Sequence, residues 1–244
     1  TADRPKAMEY FDGMADPFGK RAEELKKFKE SGGHVIGSLC YFAPAEIMAA
    51  FGAVPVRFCS GFYEAVHPAN DLLGDAGLCP LVTSTLGLKR SGASPILELC
   101  DLVVVPTPCD AKLKLGEILQ DMVEVHMMNL PAVKETEAGR DAWVAEIKGL
   151  VRRLERKFNT RLKAPMLKKA ITTYQKAQAA WRRFTELRKG GAIWGRDALL
   201  VAQLSFYDDI SRWTDNVNRL CDELEGQKSV APEAARIVLG GSPI

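Results

Sequence analysis

Residues 102–105 read Leu-Val-Val-Val, a continuous apolar and mostly β-branched run, and they lead directly into Pro106-Thr107-Pro108-Cys109. A strand of that composition needs cover on both faces, which points to the interior of a parallel sheet flanked by helices. The turn that follows such a strand lies at the carboxyl edge of the sheet, where α/β folds bind ligands. Asp110 is placed to cap a helix starting near Ala111. Position alone therefore makes the Cys109 thiol a candidate ligand.

The same organisation recurs on the amino-terminal side. Residues 34–39 read as a strand ending at Cys40. Pro44 stands at the first turn of a helix over 45–51 that Gly52 closes, and residues 54–58 read as a strand ending at Cys59. Strand, helix, strand at this spacing is the repeating unit of a parallel sheet. Cys79 precedes Pro80, and a helix is expected over 81–89. Beyond Cys109 the pattern predicts a helix over 112–122 and a fourth strand over 123–128. The expected fold class is α/β, a four-stranded parallel sheet with strands near 34–39, 54–58, 101–105 and 123–128, flanked by helices.

Before the sheet come an aromatic- and Met-rich segment, 7–18, and a charged amphipathic helix, 19–29, stopped by Ser31-Gly32-Gly33. After it, apolar residues at helical spacing predict a long helical insert with helices near 143–158, 165–187, 194–204 and 210–224. Ile237-Val238-Leu239 is strand-like again, and Gly240-Gly241-Ser242-Pro243 is a turn that would open onto a helix. The division that follows is 1–33, an N-terminal helical segment; 34–132, the α/β lobe; 133–230, the helical insert; and 231–244, the start of a second α/β lobe. The chain is accordingly expected to be a fragment, or one polypeptide of a larger unit.

Composition narrows the functional classes. The net charge is only +2 with 26% charged residues, so no basic excess points to nucleic acid, and Arg182, Arg183, Lys163, Lys168 and Lys169 read as a solvated face. No apolar run approaches the roughly 20 residues that span a bilayer, and the opening TADRPKAMEY has no apolar signal core, which makes a cytoplasmic protein the default. The six cysteines are dispersed through a chain of ordinary size. They read as buried thiols, metal ligands or catalytic groups rather than disulfides. Cys100 and Cys221 sit in apolar contexts and read as structural. His34 and His126 read as strand residues, and His67 as a loop residue. With no GxxxxGK[ST] and no GxGxxG after a strand, the chain is not expected to bind ATP. Glu46, in the first helical turn after Pro44, is either a dipole-compensating carboxylate or, a few residues from Cys40, a proton donor.

HVIGSLCYFAPAEIMAAFGAVPVRFC, GLCPLVTSTLGL, CDLVVVPTPCDAKLKL and RIVLGGSPI occur in that order. Together they resemble the N-terminal half of subunits of the 2-hydroxyacyl-CoA dehydratase and benzoyl-CoA reductase family. The resemblance implies a Rossmann-like, cluster-binding lobe at 34–132, the N-terminal lobe of a two-lobe subunit, with a 4Fe–4S cluster between the lobes. It also implies an ATP-hydrolysing iron–sulfur activator protein that delivers low-potential electrons, a homodimer or a heterodimer with a related subunit, and a small-molecule or acyl-CoA substrate. Carried over by motif, Cys79 and Cys109 match ligands of a cubane whose third ligand lies in the second lobe. Thiolates suit iron–sulfur clusters.

A cysteine in SLCYFAP, Cys40, combined with one in VRFCSG, Cys59, looks most like the double-cubane cluster proteins, which hold an 8Fe–9S cluster. On that reading Cys40 is a ligand, and Cys59 is left open between ligand and buried thiol. The activity implied is the iron–sulfur catalytic component of an ATP-dependent low-potential reductase. The alternatives are a dehydratase subunit with a single 4Fe–4S cluster that removes water from a 2-hydroxyacyl-CoA, and a non-catalytic electron-transfer protein.

Overall fold

The computed structural model describes residues 4–58, 62–73 and 78–233. Cys59 and the terminal RIVLGGSPI lie outside the described residues, as does Gly77 of the GLCP motif.

The elements run α1 (Met8–Gly13), α2 (Lys20–Glu30), β1 (Val35–Ser38), α3 (Ala45–Ala50), β2 (Val54–Arg57), a 3-10 turn (Tyr63–Ala65), α4 (His67–Leu73), α5 (Pro80–Ser91), α6 (Pro95–Glu98), β3 (Leu102–Pro106) and α7 (Asp110–Leu119). They continue with β4 (Val125–Met128), α8 (Glu137–Lys157), α9 (Ala164–Lys189), α10 (Gly195–Leu204) and α11 (Ile210–Leu224). The four strands form one sheet in the order β2-β1-β3-β4, and every pairing is parallel. The expected α/β class and parallel sheet are therefore present.

Burial follows strand position. All residues of the central strands β1 and β3 are buried, whereas the edge strands β2 and β4 are mostly half-buried. Alternation then sorts the side chains between two cores. Val35, Val103 and Val105 pack with Leu25, Leu86, Leu97, Leu115 and Leu119 from α2, α5, α6 and α7. Ile36, Leu102 and Val104 pack on the opposite face with Met48 of α3 and Leu150 and Leu154 of α8. This two-residue period is what a strand sandwiched by helices requires.

A third core is all-helical. Met8 and Phe11 of α1 join Phe184 of α9, Val201 of α10, and Trp213, Val217 and Leu220 of α11. The N-terminal helix thus completes a core built from helices nearly two hundred positions away. This helical body meets the sheet layer where α9 packs on α3, and where the Arg57 amide donates to the Phe206 carbonyl at 2.7 Å.

Two local expectations differ from the structure. The helix after β3 begins one residue earlier than anticipated, so Asp110 is its first residue and Cys109 takes the N-cap, with no side-chain cap bond. An acid inside the first turn complements the helix dipole without capping. His67 is not in a loop but opens α4, with its ring edge against Tyr63. Among the described residues, no helix is long and apolar enough to cross a membrane.

Candidate functional site

The strand order puts a reversal of chain direction between β1 and β3. From β1 the chain steps outward to β2, then crosses back to β3 and continues away to β4. Loops leaving two strands at such a point diverge and open a crevice at the carboxyl edge, the usual ligand position in open α/β sheets. The two loops here are the ones that carry Cys40, two residues beyond β1, and Cys109, three residues beyond β3.

Cys79 and Cys109 share one local setting. Each is an exposed free thiol at the N-cap of a helix, with Pro80 at the first position of α5 and Asp110 at that of α7. The Cys79 carbonyl accepts from Val82 and Thr83, and the Cys109 carbonyl from Lys112 and Leu113. Their side chains are left outside the helices, beside first-turn N–H groups that favour an anion. α5 and α7 also pack on each other, so two thiols 30 positions apart head neighbouring helices.

Cys40 is set differently. Its φ is +69°, a left-handed backbone that a side chain other than glycine adopts only under constraint, and its thiol is half-buried. The Lys112 amine, in the first turn of α7, donates to the Cys40 sulfur. The Lys112 side chain is itself half-buried, and burial pushes its amine below the ordinary value. This lysine has no signal in the sequence beyond its place three residues after Cys109, because the contact joins a loop and a helix 72 positions apart.

The remaining described cysteines are buried in apolar cores. Cys100 is buried, donates to the Ile96 carbonyl at 3.4 Å and is pushed well above its usual value by burial. Cys221 is fully buried in the helical core and pushed up to about 11, chiefly by burial. His34 stacks on Phe158 at 4.1 Å.

Glu46 lies in a cleft of about 370 Å³ between α3 and the helical body, lined also by Tyr41, Arg57, Tyr174, Trp181 and Asp208. The Arg57 guanidinium covers the Tyr41 ring at 3.8 Å. Burial first, then the Glu46 and Asp209 charges, hold the Tyr174 hydroxyl well above its usual value, against Arg57. Sequence reading found Glu46 but not Tyr174, which sits mid-helix in α9 where no motif marks it.

The donor chemistry can be weighed against an iron–sulfur cluster. Among the described residues, no group of three or more His, Cys, Asp or Glu side chains is gathered to hold a metal ion. What the chain offers is exposed, soft thiol donors on separate loops. These fit a cluster held only in part by these residues and completed from elsewhere.

The model of the family described as 2-hydroxyglutaryl-CoA dehydratase, D-component, matches residues 40–244. The chain belongs to that family. Among its relatives, the Escherichia coli (strain K12) protein YjiM, which carries a provisional dehydratase-subunit name, is 31% identical over 88% of this chain. The (R)-phenyllactyl-CoA dehydratase beta subunit of Clostridium sporogenes is 22% identical over 89% of it. The (R)-2-hydroxyglutaryl-CoA dehydratase beta subunit of Acidaminococcus fermentans (strain ATCC 25085 / DSM 20731 / CCUG 9996 / CIP 106432 / VR4) is 25% identical over 89% of it. Each alignment covers 58% of the relative, so the chain spans little more than half the length of these dehydratase-family proteins. The family match begins at Cys40, and so takes in all three candidate thiols and Glu46.

Proposed function

We propose that this chain is the thiolate-bearing part of a 2-hydroxyacyl-CoA dehydratase subunit, acting with a related subunit and an ATP-hydrolysing activator protein. The observation that carries this reading is the pair of exposed thiols, Cys79 and Cys109, at the N-caps of the packed helices α5 and α7, the second on the loop after β3 where the strand order reverses. The dehydratase names of two relatives support the reaction class. In this reading Cys79 and Cys109 hold a 4Fe–4S cluster together with a ligand from beyond the described residues. When bound, such a cluster supplies one-electron reducing power at low potential.

The chain's own residues would do the rest. Removal of water from a 2-hydroxyacyl thioester takes a hydroxyl from one carbon and a proton from its neighbour, so a carboxylate that can accept and return a proton is needed. Glu46 takes that role from the wall of the cleft, whose size suits the acyl end of a substrate rather than a whole coenzyme. Tyr41, Phe206 and Trp181 line the same cleft with aromatic surface. The electrons arrive from the activator, in keeping with the lack of a nucleotide-phosphate motif in the sequence.

The test is anaerobic purification of the full-length protein with its companion subunit, followed by iron analysis, electron paramagnetic resonance, and turnover of an (R)-2-hydroxyacyl-CoA with reduced activator and ATP. Enoyl-CoA formation dependent on all components is expected. A colourless, iron-free protein would overturn the reading. A second reading, a double-cubane reductase, is favoured by one observation: the Cys40 sulfur, at the same crevice and held by a lysine, is a further donor that a single cubane does not require.

A further inference from the structure

Arg57, Tyr174 and Glu46 line one cleft, between β2, α9 and α3. The Arg57 guanidinium lies over the Tyr41 ring at 3.8 Å, and among the described residues it forms no hydrogen bond or ion pair. A guanidinium that meets a ring through its carbon keeps its N–H donors for another group. The Tyr174 hydroxyl and the Glu46 carboxylate also make no hydrogen bond among the described residues. The other two acids on the cleft wall are taken. Asp208 accepts from the Tyr10 hydroxyl and from the Arg212 Nε at 3.0 Å, and Asp209 accepts from the Ser211 and Arg212 amides at 3.0 and 2.9 Å.

The free charges on the wall are therefore one cation, Arg57, and one anion, Glu46, and they cancel. A ligand with a charged end would upset that balance, whereas a neutral group with an acceptor oxygen matches it. The Tyr174 hydroxyl, pushed well above its usual value chiefly by burial, stays protonated and offers a second donor within electrostatic reach of Arg57. A few convergent polar groups on an otherwise apolar wall are what fixes the orientation of a small ligand.

Resting on the dehydratase reading, we propose that Arg57 and Tyr174 are binding residues that both donate to the thioester carbonyl oxygen of an acyl-CoA whose acyl chain is uncharged. A carbonyl oxygen has two lone pairs and can take one donor from each side chain. Anchored there, the chain lies along the aromatic wall of Tyr41, Phe206 and Trp181, with Glu46 the acceptor for a hydrogen further along it. The cancelling charges are what favour a carbonyl over a carboxylate, which a guanidinium fork would otherwise suit. Arg57 is anchored by its own backbone as well, through the 2.7 Å bond to the Phe206 carbonyl that joins β2 to the helical body.

The experiment is isothermal titration calorimetry on the full-length holoprotein with its companion subunit, without activator, so that no turnover occurs. Three ligands share one coenzyme handle: an uncharged 2-hydroxyacyl-CoA, its thioether analogue with a methylene in place of the carbonyl, and an acyl-CoA ending in a carboxylate. Wild type should bind the thioester about tenfold or more tighter than the thioether, the scale of hydrogen bonds to a charged donor. Arg57→Met and Tyr174→Phe should each narrow that gap about threefold or more by weakening the thioester alone, with circular dichroism unchanged. Tyr174→Phe keeps the ring and its packing, so it tests the hydroxyl even where Arg57→Met fails to fold. Equal affinities for thioester and thioether in wild type, or equal losses for both in the variants, would overturn the carbonyl assignment and leave an acyl-CoA site. A wild-type preference for the carboxylate-ended ligand that Arg57→Met abolishes would overturn it in favour of a carboxylate subsite. Failure of the folded, iron-loaded wild type to bind any of the three would overturn the dehydratase reading itself.

Discussion

Arg212 on α11 forks onto Glu24 on α2, Nη1 to Oε1 at 3.0 Å and Nη2 to Oε2 at 2.8 Å, tying the helical body to a helix that covers the sheet. Arg21 adds a bond to the same carboxylate at 3.0 Å, and the Arg212 Nε donates to buried Asp208 at 3.0 Å. The site cleft runs past Asp208, so this network holds one wall of it in place.

The Arg212 hydrogen bonds, with Arg21 behind them, hold the Glu24 carboxyl at about 2, below its ordinary 4.5. A depressed carboxyl contributes stability above its unfolded value, and that contribution is lost as pH falls toward the folded one. Glu24→Gln should therefore cost about 1 kcal/mol at neutral pH, a figure that allows for solvent screening of a partly exposed pair. The gap between wild type and variant should close on acidification from 4.5 to about 2. Denaturant unfolding across that range measures it, and a gap independent of pH would refute the ion-pair account.

Close approach rather than charge governs α5, the helix headed by Cys79. A Cβ added at Gly87 would meet the Ala65 carbonyl oxygen at 1.6 Å, a backbone atom that cannot step aside. Gly87→Ala should destabilise by ~1–3 kcal/mol, despite the better helix propensity of alanine. Gly116→Ala, on α7, meets the end of the Met127 side chain at 2.2 Å, which can swing away, and Val105 Cγ1 at 3.3 Å, where a few tenths of an ångström suffice. Its cost should be smaller in parallel thermal melts, and the opposite ranking would contradict this packing.

The parallel sheet was legible because β3 and β1 are buried on both faces, and only a sandwiched strand tolerates an uninterrupted apolar run. The placement of Cys79 and Cys109 at helix starts was legible for a related reason, since Pro80 and the Pro106-Thr107-Pro108 turn mark those starts. Lys112 was not, because a long flexible side chain on an amphipathic helix looks the same whether it points to water or to sulfur. The joining of α1 to α9, α10 and α11 was equally hidden: Met8 and Phe11 announce burial but not the partner that buries them.

Exchanging sulfur for oxygen tests the helix-cap thiols. Cys79→Ser and Cys109→Ser place a hydroxyl where each thiol stands, exposed at an N-cap position that serine readily occupies, so the fold should tolerate both. Each should lose most of the iron–sulfur absorbance of the anaerobically purified holoprotein, while far-ultraviolet circular dichroism stays within error. Retention of full iron by either variant would remove that cysteine from the ligand set.

Cys40 decides between one cubane and two. β1 and β3 are adjacent, with Ile36 opposite Leu102 and Ser38 opposite Val104, so the loops after them leave the sheet side by side and Cys40 opens on the same edge as Cys109. A single cubane filled by Cys79, Cys109 and a ligand from outside the described residues has no need of it; a bridged pair of cubanes does. On the single-cluster reading, iron per chain in the full-length protein should be about four and unchanged in Cys40→Ala, since thiolates other than Cys40 hold the cubane. About eight irons, falling on the substitution, would instead make Cys40 a cluster ligand and put the bridged pair of cubanes in place of the single cluster.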